Sequence, residues 1–318
     1  MQFNDRSKYF IITIDTEGDN LWNWKEGEII STENSLYLKR FQSLCEKYGF
    51  KPVWLSNYEM MNDPRYIEFI LDVVKRKTGE CGMHLHAWNT PPYFSLPKEQ
   101  NGLPYLIEYP DEIICKKIDF LVDFIEQRTG KKPVSHRAGR WATNDKYLEY
   151  LSKSGFFIDC SYTPFINWES SCGRTKNSKG SNYFEVNPRP HRLFNQLYEV
   201  PVTTVFTHRF FWPEKPTFKN IMRQLYYSFR GRTIWLRPNG DNLRQMKWII
   251  KKGIKSNYVM FMLHSSEFMP GGSPTFKDEK AIDKLFRDLE KLFSYASKTF
   301  VGITLEDFYS NCIKEKDS

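Results

Sequence analysis

Short apolar runs alternate with longer amphipathic segments along most of the chain. The runs are rich in β-branched and aromatic residues, which is typical of buried strands, and the segments between them carry apolar residues at helical spacing. The predicted strands are 9–14, 52–56, the run that contains His84 and His86, 133–137, 156–161, 198–203, 258–264 and 300–305. The predicted helices are 35–48, 64–77, 110–129, 144–154, 218–229, 242–252 and 277–298. This α/β alternation predicts parallel strands with outer helices, in a barrel or a doubly wound sheet.

Polar residues concentrate where the predicted strands end. The pairs are Asp15/Glu17, His84/His86, His136/Arg137, Asp159/Ser161 and His264/Ser265. Barrel enzymes build their active sites at the carboxyl ends of their strands. The five polar strand ends therefore predict one common site.

Two of these pairs have the spacing of a metal site. Residues i and i+2 of a strand point to the same face, so His84 and His86 present two imidazoles to one spot, and Asp15 and Glu17 present two carboxylates. Each pair alone also fits a structural role, as hydrogen-bonded buried histidines or as a capping salt bridge. Together they predict a mononuclear metal site with a spare acid or base, because adjacent carboxylates repel unless a cation or proton offsets them.

The remaining histidines are assigned by their positions. His136 points to the opposite face from Arg137, so we leave it out of the site. His191 and His208 lie in irregular basic stretches and are expected to be solvated.

Composition indicates a globular protein that works without a membrane span. The 318 residues are 40% hydrophobic, and no apolar run approaches the roughly 18–20 residues that cross a bilayer. Residues 1–6 lack the pattern of a signal peptide. The six cysteines are scattered without a C-x-x-C motif, so we expect reduced thiols in a cytoplasmic protein.

The net charge of +8 predicts an acidic partner. The 16% aromatic content suits a carbohydrate groove or an anionic glycan at least as well as nucleic acid, which we do not expect as a partner. The segment 209–237 interleaves basic and aromatic residues. We interpret it as a folded lid, because its aromatics are too many to be exposed, and as a candidate for peripheral contact with a membrane surface.

Four short motifs occur in a defined order along the chain. The first motif is T-I-D-T-E-G-D at residues 13–19, and the second is E-C-G-M-H-L-H at residues 80–86. The third is Arg137 followed by N-x-x-x-L-x-x-L-x-x-x-G at residues 144–155. The fourth is M-L-H at residues 262–264. In this order, over residues 9–305, they resemble the motifs of the polysaccharide deacetylases, the NodB-homology group of carbohydrate esterases. The form with H-L-H-x-W-x-T-P-P is similar to a divergent branch found with surface-polysaccharide gene clusters.

Two departures from the family pattern concern the metal. The second aspartate of the family, a metal ligand, falls at Thr16, so Glu17, or else Asp19, has to serve. The second histidine follows the first by two residues instead of four, and position 88 is Trp. The metal geometry therefore differs from that of the family, or the activity is altered or lost.

The resemblance implies one catalytic domain over residues 1–318, a distorted (β/α) barrel of seven or eight mostly parallel strands with irregular insertions at about 162–196 and 206–241. It implies metal-dependent removal of an acetyl group, N-acetyl before O-acetyl, from a sugar of a surface polysaccharide or its precursor. One divalent ion, with Zn²⁺ as the default, is expected on Glu17, His84 and His86. The remaining assignments are Asp15 as base, Arg137 as its orienting cation, His264 as acid, and Trp22, Trp88, Trp141 and Arg140 as substrate-binding residues.

Two other functions compete with this one. Two histidines and a carboxylate also describe a non-haem iron oxygenase, although the β/α alternation argues against the β-fold usual for that class. Thr16 favours a different alternative, a catalytically impaired glycan-binding relative that kept the fold.

Overall fold

The computed structural model describes residues 8–253 and 256–314. The expectation for residues 1–6 falls outside the described residues, as do parts of the predicted domain 1–318.

The strands form a curled, mostly parallel sheet within the described part of the chain. Its strands are β1 (Tyr9–Thr16), β2 (Pro52–Ser56), β3 (Glu80–Leu85), β4 (Ser135–Ala138), β5 (Ile158–Asp159), β6 (His191–Phe194), β7 (Leu197–Glu199), β10 (Tyr258–His264) and β11 (Val301–Gly302). The sheet order is β10-β1-β2-β3-β4-β5-β7-β6, with β11 paired to β1, and within this sheet only the β6–β7 pair is antiparallel. The sheet makes a half-barrel with helices outside, so the predicted distorted (β/α) barrel is confirmed.

A separate antiparallel pair joins β8 (Thr204–Thr207) to β9 (Arg232–Trp235). The helices are α1 (Leu38–Lys47), α2 (Pro64–Lys75), α3 (Asp111–Thr129), α4 (Asp145–Lys153), α5 (Phe218–Arg230), α6 (Leu243–Gly253), α7 (Glu279–Ala296) and α8 (Leu305–Phe308). Helix ends follow local signals: the side chain of Asn144 accepts from the backbone N–H of Tyr147 at the start of α4, and Gly130 ends α3 in the left-handed region.

Alternate residues of β1 serve two different cores. Phe10 and Ile12 pack outward in the cluster that contains the outer helices, whereas Tyr9 and Ile11 pack inward with residues of other strands. This alternation with period two places the side chain of Asp15 on the inner side of the sheet. The polar strand ends are thereby aimed at the interior of the half-barrel.

Several regions differ from the prediction: the predicted strand 198–203 is confined to Leu197–Glu199, and the predicted irregular segment 162–196 contains β6. The predicted strand 156–161 is reduced to β5 and 300–305 to β11, although Phe156, Cys160, Phe300 and Ile303 are buried. The segment 206–241 contains β9 as well as α5, and the sequence pattern did not predict the pairing of β9 with β8. The expectation that its aromatic residues are covered is wrong: Trp212, Phe218, Tyr226 and Phe229 are exposed.

Within residues 8–253 and 256–314, no helix has both the length and the apolar character that a membrane span requires. Cys45, Cys81, Cys115, Cys160 and Cys172 carry free thiols.

Candidate active site

Three side chains from the ends of β1 and β3, two strands that β2 separates in the sheet, converge on one point. The Oε2 atom of Glu17 lies 3.3 Å from Nε2 of His84 and 3.2 Å from Nε2 of His86, and all three residues are buried. One ligand atom from each residue lies within 4.8 Å of the others. The carboxylate follows β1, and the imidazoles come from the end of β3. The two same-face pairs of the sequence therefore meet, with Glu17 as the carboxylate closest to the histidines.

The surroundings of the two imidazoles fit a metal. The Nδ1 atom of His84 lies 2.9 Å from the backbone oxygen of Arg137, and donation there leaves the Nε2 lone pair directed at Glu17. The ring of His86 stacks on Trp88, with centroids 4.3 Å apart. Gly139 makes room for this arrangement, because a Cβ atom there would lie 2.5 Å from Cδ2 of His86.

The backbone of Glu17 is held by two buried polar side chains. Its N–H donates to Oγ of Ser265 at 3.1 Å, and its carbonyl accepts from Nδ2 of Asn34 at 2.8 Å. Asp19, the alternative ligand, instead accepts from the Ser31 hydroxyl and the Asn34 backbone N–H. The Thr16 hydroxyl donates to the carbonyl of Ile14. The geometry thus favours Glu17 over Asp19.

Asp15 and Arg137 form a buried ion pair beside this cluster. Nη1 of Arg137 lies 2.5 Å from Oδ1 of Asp15. The rest of the guanidinium donates to Oγ1 of Thr13 at 2.9 Å and to the carbonyl of Cys160 at 3.0 Å. Arg137 is therefore fixed in one orientation, and Oδ2 of Asp15 is left facing the site.

His264 completes the group from the end of β10. Its Nε2 atom lies 3.7 Å from Oδ2 of Asp15 and 3.9 Å from Oε1 of Glu17. Its Nδ1 atom lies 3.2 Å from Oε2 of Glu267, and Nη2 of Arg237 contacts both groups, at 3.0 Å from Nδ1 and 3.1 Å from Oε2. The imidazole is thus oriented from behind by a carboxylate and a guanidinium.

The electrostatics of the cluster keep Glu17 ionised. Burial alone raises the pKa of Glu17, but His264, His84 and His86 hold that pKa well below its ordinary value. Burial lowers the pKa of His84, yet the carboxylates of Asp15 and Glu17 bring it above its ordinary value. For His86 burial dominates, and its pKa is lowered. An ionised glutamate facing two imidazole nitrogens in a buried site is a donor set that suits a divalent metal.

The predicted substrate-binding residues lie in different surroundings. Trp22, 40% exposed, meets the His264 ring edge-on with centroids 5.1 Å apart. Trp141 stacks on Trp168 and lies 5.1 Å from the Arg137 guanidinium carbon. The guanidinium of Arg140 is engaged elsewhere: it donates to the carbonyls of Leu103 and Cys172, and it covers the ring of Tyr105. Its substrate role stays a prediction, as do the roles of the other site residues.

Two cavities border the site. One of about 550 Å³ has Trp88 in its wall together with Trp24, Tyr58, Glu59 and Tyr93. Burial raises the pKa of Glu59 to about 7 even though its carboxylate accepts from the backbone N–H of Gly18 and from Asn89. The second cavity, of about 510 Å³, is lined by Arg237 and Glu267 among others. Rings and hydrogen-bonding groups in the first cavity suit a sugar.

The other histidines are not part of the cluster. His136 is buried on the far side of β4, with Nδ1 2.6 Å from Oδ1 of Asp159 and Nε2 2.7 Å from the Tyr147 hydroxyl. His208 is exposed, and His191 is half-buried as the first residue of β6.

Sequence reasoning missed several residues that shape the site. Glu267 lies three residues after His264 and could have been noticed by that spacing. Nothing in the sequence indicated that Arg237 belongs to the site, because it reaches His264 through the non-local pairing of β8 and β9. Asn34 and Gly139 act through close contacts that no pattern predicts.

No protein-family model matches the sequence, and no curated protein matches it. Similar solved structures include a protein assigned as a glycoside hydrolase/deacetylase from Parabacteroides distasonis, with a TM-score of 0.58 and 10% identity over 96% of this chain and 71% of that one. A protein assigned as a polysaccharide deacetylase from Mycobacterium smegmatis gives 0.52 and 11% over 99% and 94%. A 4-alpha-glucanotransferase from Thermococcus litoralis gives 0.52 and 11% over 96% and 40%.

These similarities concern the fold, since the three structures represent more than one carbohydrate-active function. The chain shares the fold of the polysaccharide deacetylases, and the resemblance that its motifs predicted is confirmed at that level.

Proposed function

We propose that this protein is a metal-dependent hydrolase that removes an acetyl group, N-acetyl rather than O-acetyl, from a sugar of a surface polysaccharide or its precursor. The observation that carries the proposal is the convergence of Glu17, His84 and His86 beside the Asp15–Arg137 ion pair and His264. These are a metal donor set, a base and an acid within one buried site.

Glu17, His84 and His86 would hold the ion, and zinc is the default for two imidazoles and one carboxylate. A divalent ion bound there supplies polarisation of the acetyl carbonyl and a lower pKa for water. The protein side chains account for the proton transfers.

Asp15 is the proposed base. Arg137 occupies Oδ1, and Oδ2 remains to take a proton from the water that attacks the acetyl carbon. His264 is placed on the same side of the site, and donation from its Nε2 to the sugar nitrogen lets the amine leave as the carbon–nitrogen bond breaks. The products are acetate and the free amino sugar.

The test is acetate release from a panel of N- and O-acetylated sugars and oligosaccharides. We expect the wild type to release acetate, and Asp15→Asn to lose about 10²–10⁴-fold in rate while retaining its metal. Asp111→Asn, at an exposed position at the start of α3, is the matched control and should keep full activity.

Two outcomes would favour the alternatives. Glycan binding without acetate release from any substrate supports the non-catalytic relative. Turnover that requires O₂ and stops under anaerobic conditions supports an iron oxygenase.

A further inference from the structure

The apolar face of α5 points away from the protein. Phe218, Met222, Leu225 and Phe229 recur at intervals of four, three and four residues, which places them on one stripe of the helix. Phe218 is 80% exposed and Phe229 is 89% exposed. The one buried residue of α5 is Gln224, so the helix has its polar residue inside and its large apolar residues outside.

The contacts of α5 hold it in this orientation. The side chain of Gln224 accepts from Nη2 of Arg232 at 2.6 Å, and the Arg232 guanidinium covers the Tyr227 ring at 4.7 Å. The Thr217 hydroxyl caps the helix start by accepting from the backbone N–H of Asn220. The β8–β9 pair that flanks α5 is joined to β10 through backbone hydrogen bonds, one of them from Met262 to the carbonyl of Leu236. Residues of the described chain therefore leave the apolar stripe uncovered.

The charge around α5 is strongly positive. Residues 204–237 contain seven Lys or Arg and a single acid, Glu214, in a chain whose net charge is +8. Glu214 is turned to another part of the protein, where it pairs with Lys284 at 2.9 Å and accepts from the backbone N–H of Leu243. Lys215, Lys219 and Arg223 are exposed around the helix.

We propose that α5 docks on an anionic membrane surface, with its apolar stripe among the lipid chains and its basic residues at the headgroups. An amphipathic helix of this composition lies in the plane of a bilayer interface, where apolar burial and attraction to anionic lipid act together. A second copy of the chain suits the face less well, because two clusters of the same sign would meet. A nucleic acid would satisfy the basic residues but not a continuous apolar stripe.

Docking would bring the candidate active site toward the surface. The strand that follows α5 runs through Trp235 directly into Arg237, which contacts His264. A substrate presented at a membrane would then meet the site in a fixed orientation. The docking itself does not depend on the proposed hydrolysis, and its test uses no turnover.

The test is co-sedimentation of the full chain with phosphatidylcholine vesicles that contain or lack phosphatidylglycerol. We expect binding to the anionic vesicles that weakens with salt, and a loss of about tenfold or more in the double variant Phe218→Ser, Phe229→Ser. The matched control is Ile29→Ser, Leu36→Ser, which removes two exposed apolar side chains elsewhere and should bind as the wild type does. A second variant, Lys215→Glu, Lys219→Glu, should also lose binding, and an acid at position 219 suits the first turn of α5.

Equal binding by the wild type and both α5 variants would overturn the proposal, as would a wild type that does not sediment with anionic vesicles. The face would be assigned to a second copy of the chain if the wild type formed a concentration-dependent dimer and did not bind vesicles, and if the Phe218→Ser, Phe229→Ser variant did not dimerise. RNA binding in place of vesicle binding would overturn it as well.

Discussion

Nη1 of Arg137 lies 2.5 Å from Oδ1 of Asp15, and both side chains are buried. Burial raises the pKa of Asp15, but Arg137, with help from His84 and His264, brings it below its ordinary value. The remaining donors of Arg137 are taken by Thr13 and Cys160. The guanidinium therefore cannot turn away, and the ionised state of the proposed base depends on it.

Replacing Arg137 with Met should destabilise the protein strongly. The substitution leaves the Asp15 carboxylate buried without its cation, which costs about 3–5 kcal/mol in the free energy of unfolding. Urea denaturation near neutral pH measures this loss.

The control for that variant is the double substitution Asp15→Asn, Arg137→Met. Because it removes both charges, we expect it to be less destabilised than the sum of the two single variants. Additive effects of the two changes would contradict a direct coupling between the residues.

Loss of any one ligand should remove the bound metal. In His84→Ala and in His86→Ala two donors remain, and we expect metal content by mass spectrometry to fall from near-stoichiometric to background. His208→Ala, at an exposed histidine outside the cluster, is the matched control and should retain the metal. Near-stoichiometric metal in both His84→Ala and His86→Ala would refute the assignment.

The convergence of Glu17 with His84 and His86 could be predicted because the spacing within each pair of polar residues is local. The two-residue period of a strand places His84 with His86 and Asp15 with Glu17 on common faces, and parallel strands bring their ends to one edge. Short strands could not be predicted in the same way. The bounds of β5 and β11 depend on which neighbouring backbone offers a partner, and the apolar residues around them are buried with or without pairing.

The surroundings of the cluster depend on non-local contacts and on unusual backbone. Arg140 has a φ of 56°, in the left-handed region, and its guanidinium contacts carbonyls distant in sequence. Nothing in the sequence signals that turn at a non-glycine residue. Arg237 likewise reaches His264 only because β8 and β9 pair on either side of α5.

Glu267 should act as a positioning residue for His264. Its Oε2 atom lies 3.2 Å from Nδ1 of His264 and also accepts from the backbone N–H of that residue at 2.9 Å. We expect Glu267→Gln to lower kcat about 10–100-fold with little change in KM or metal content, since the imidazole is turned but no substrate contact is lost. Steady-state kinetics and metal analysis check this, with exposed Glu112→Gln as control; a KM effect without a kcat effect would contradict it.

Glu80 is a buried carboxyl at the opposite end of β3 from the histidines. It accepts from the Ser135 hydroxyl at 2.5 Å and from the backbone N–H of Glu306 at 2.9 Å, and no cation contacts it among the described residues. Burial outweighs these hydrogen bonds and raises its pKa from 4.5 to about 7. Between these two values the folded protein holds a proton on Glu80 that the unfolded chain releases.

This difference predicts a stability that falls as pH rises. The contribution of Glu80 is complete below pH 4.5 and is lost as pH rises through about 7, because the folded state then has to bury a charged carboxylate. Glu80→Gln keeps an acceptor for the Glu306 N–H and cannot ionise, so it should be about 1–3 kcal/mol more stable than the wild type at pH about 8, with little gain at pH about 5. Urea denaturation at both pH values measures this, with exposed Glu112→Gln as the control. An equal effect of Glu80→Gln at the two pH values would show that Glu80 is ionised in the folded protein throughout.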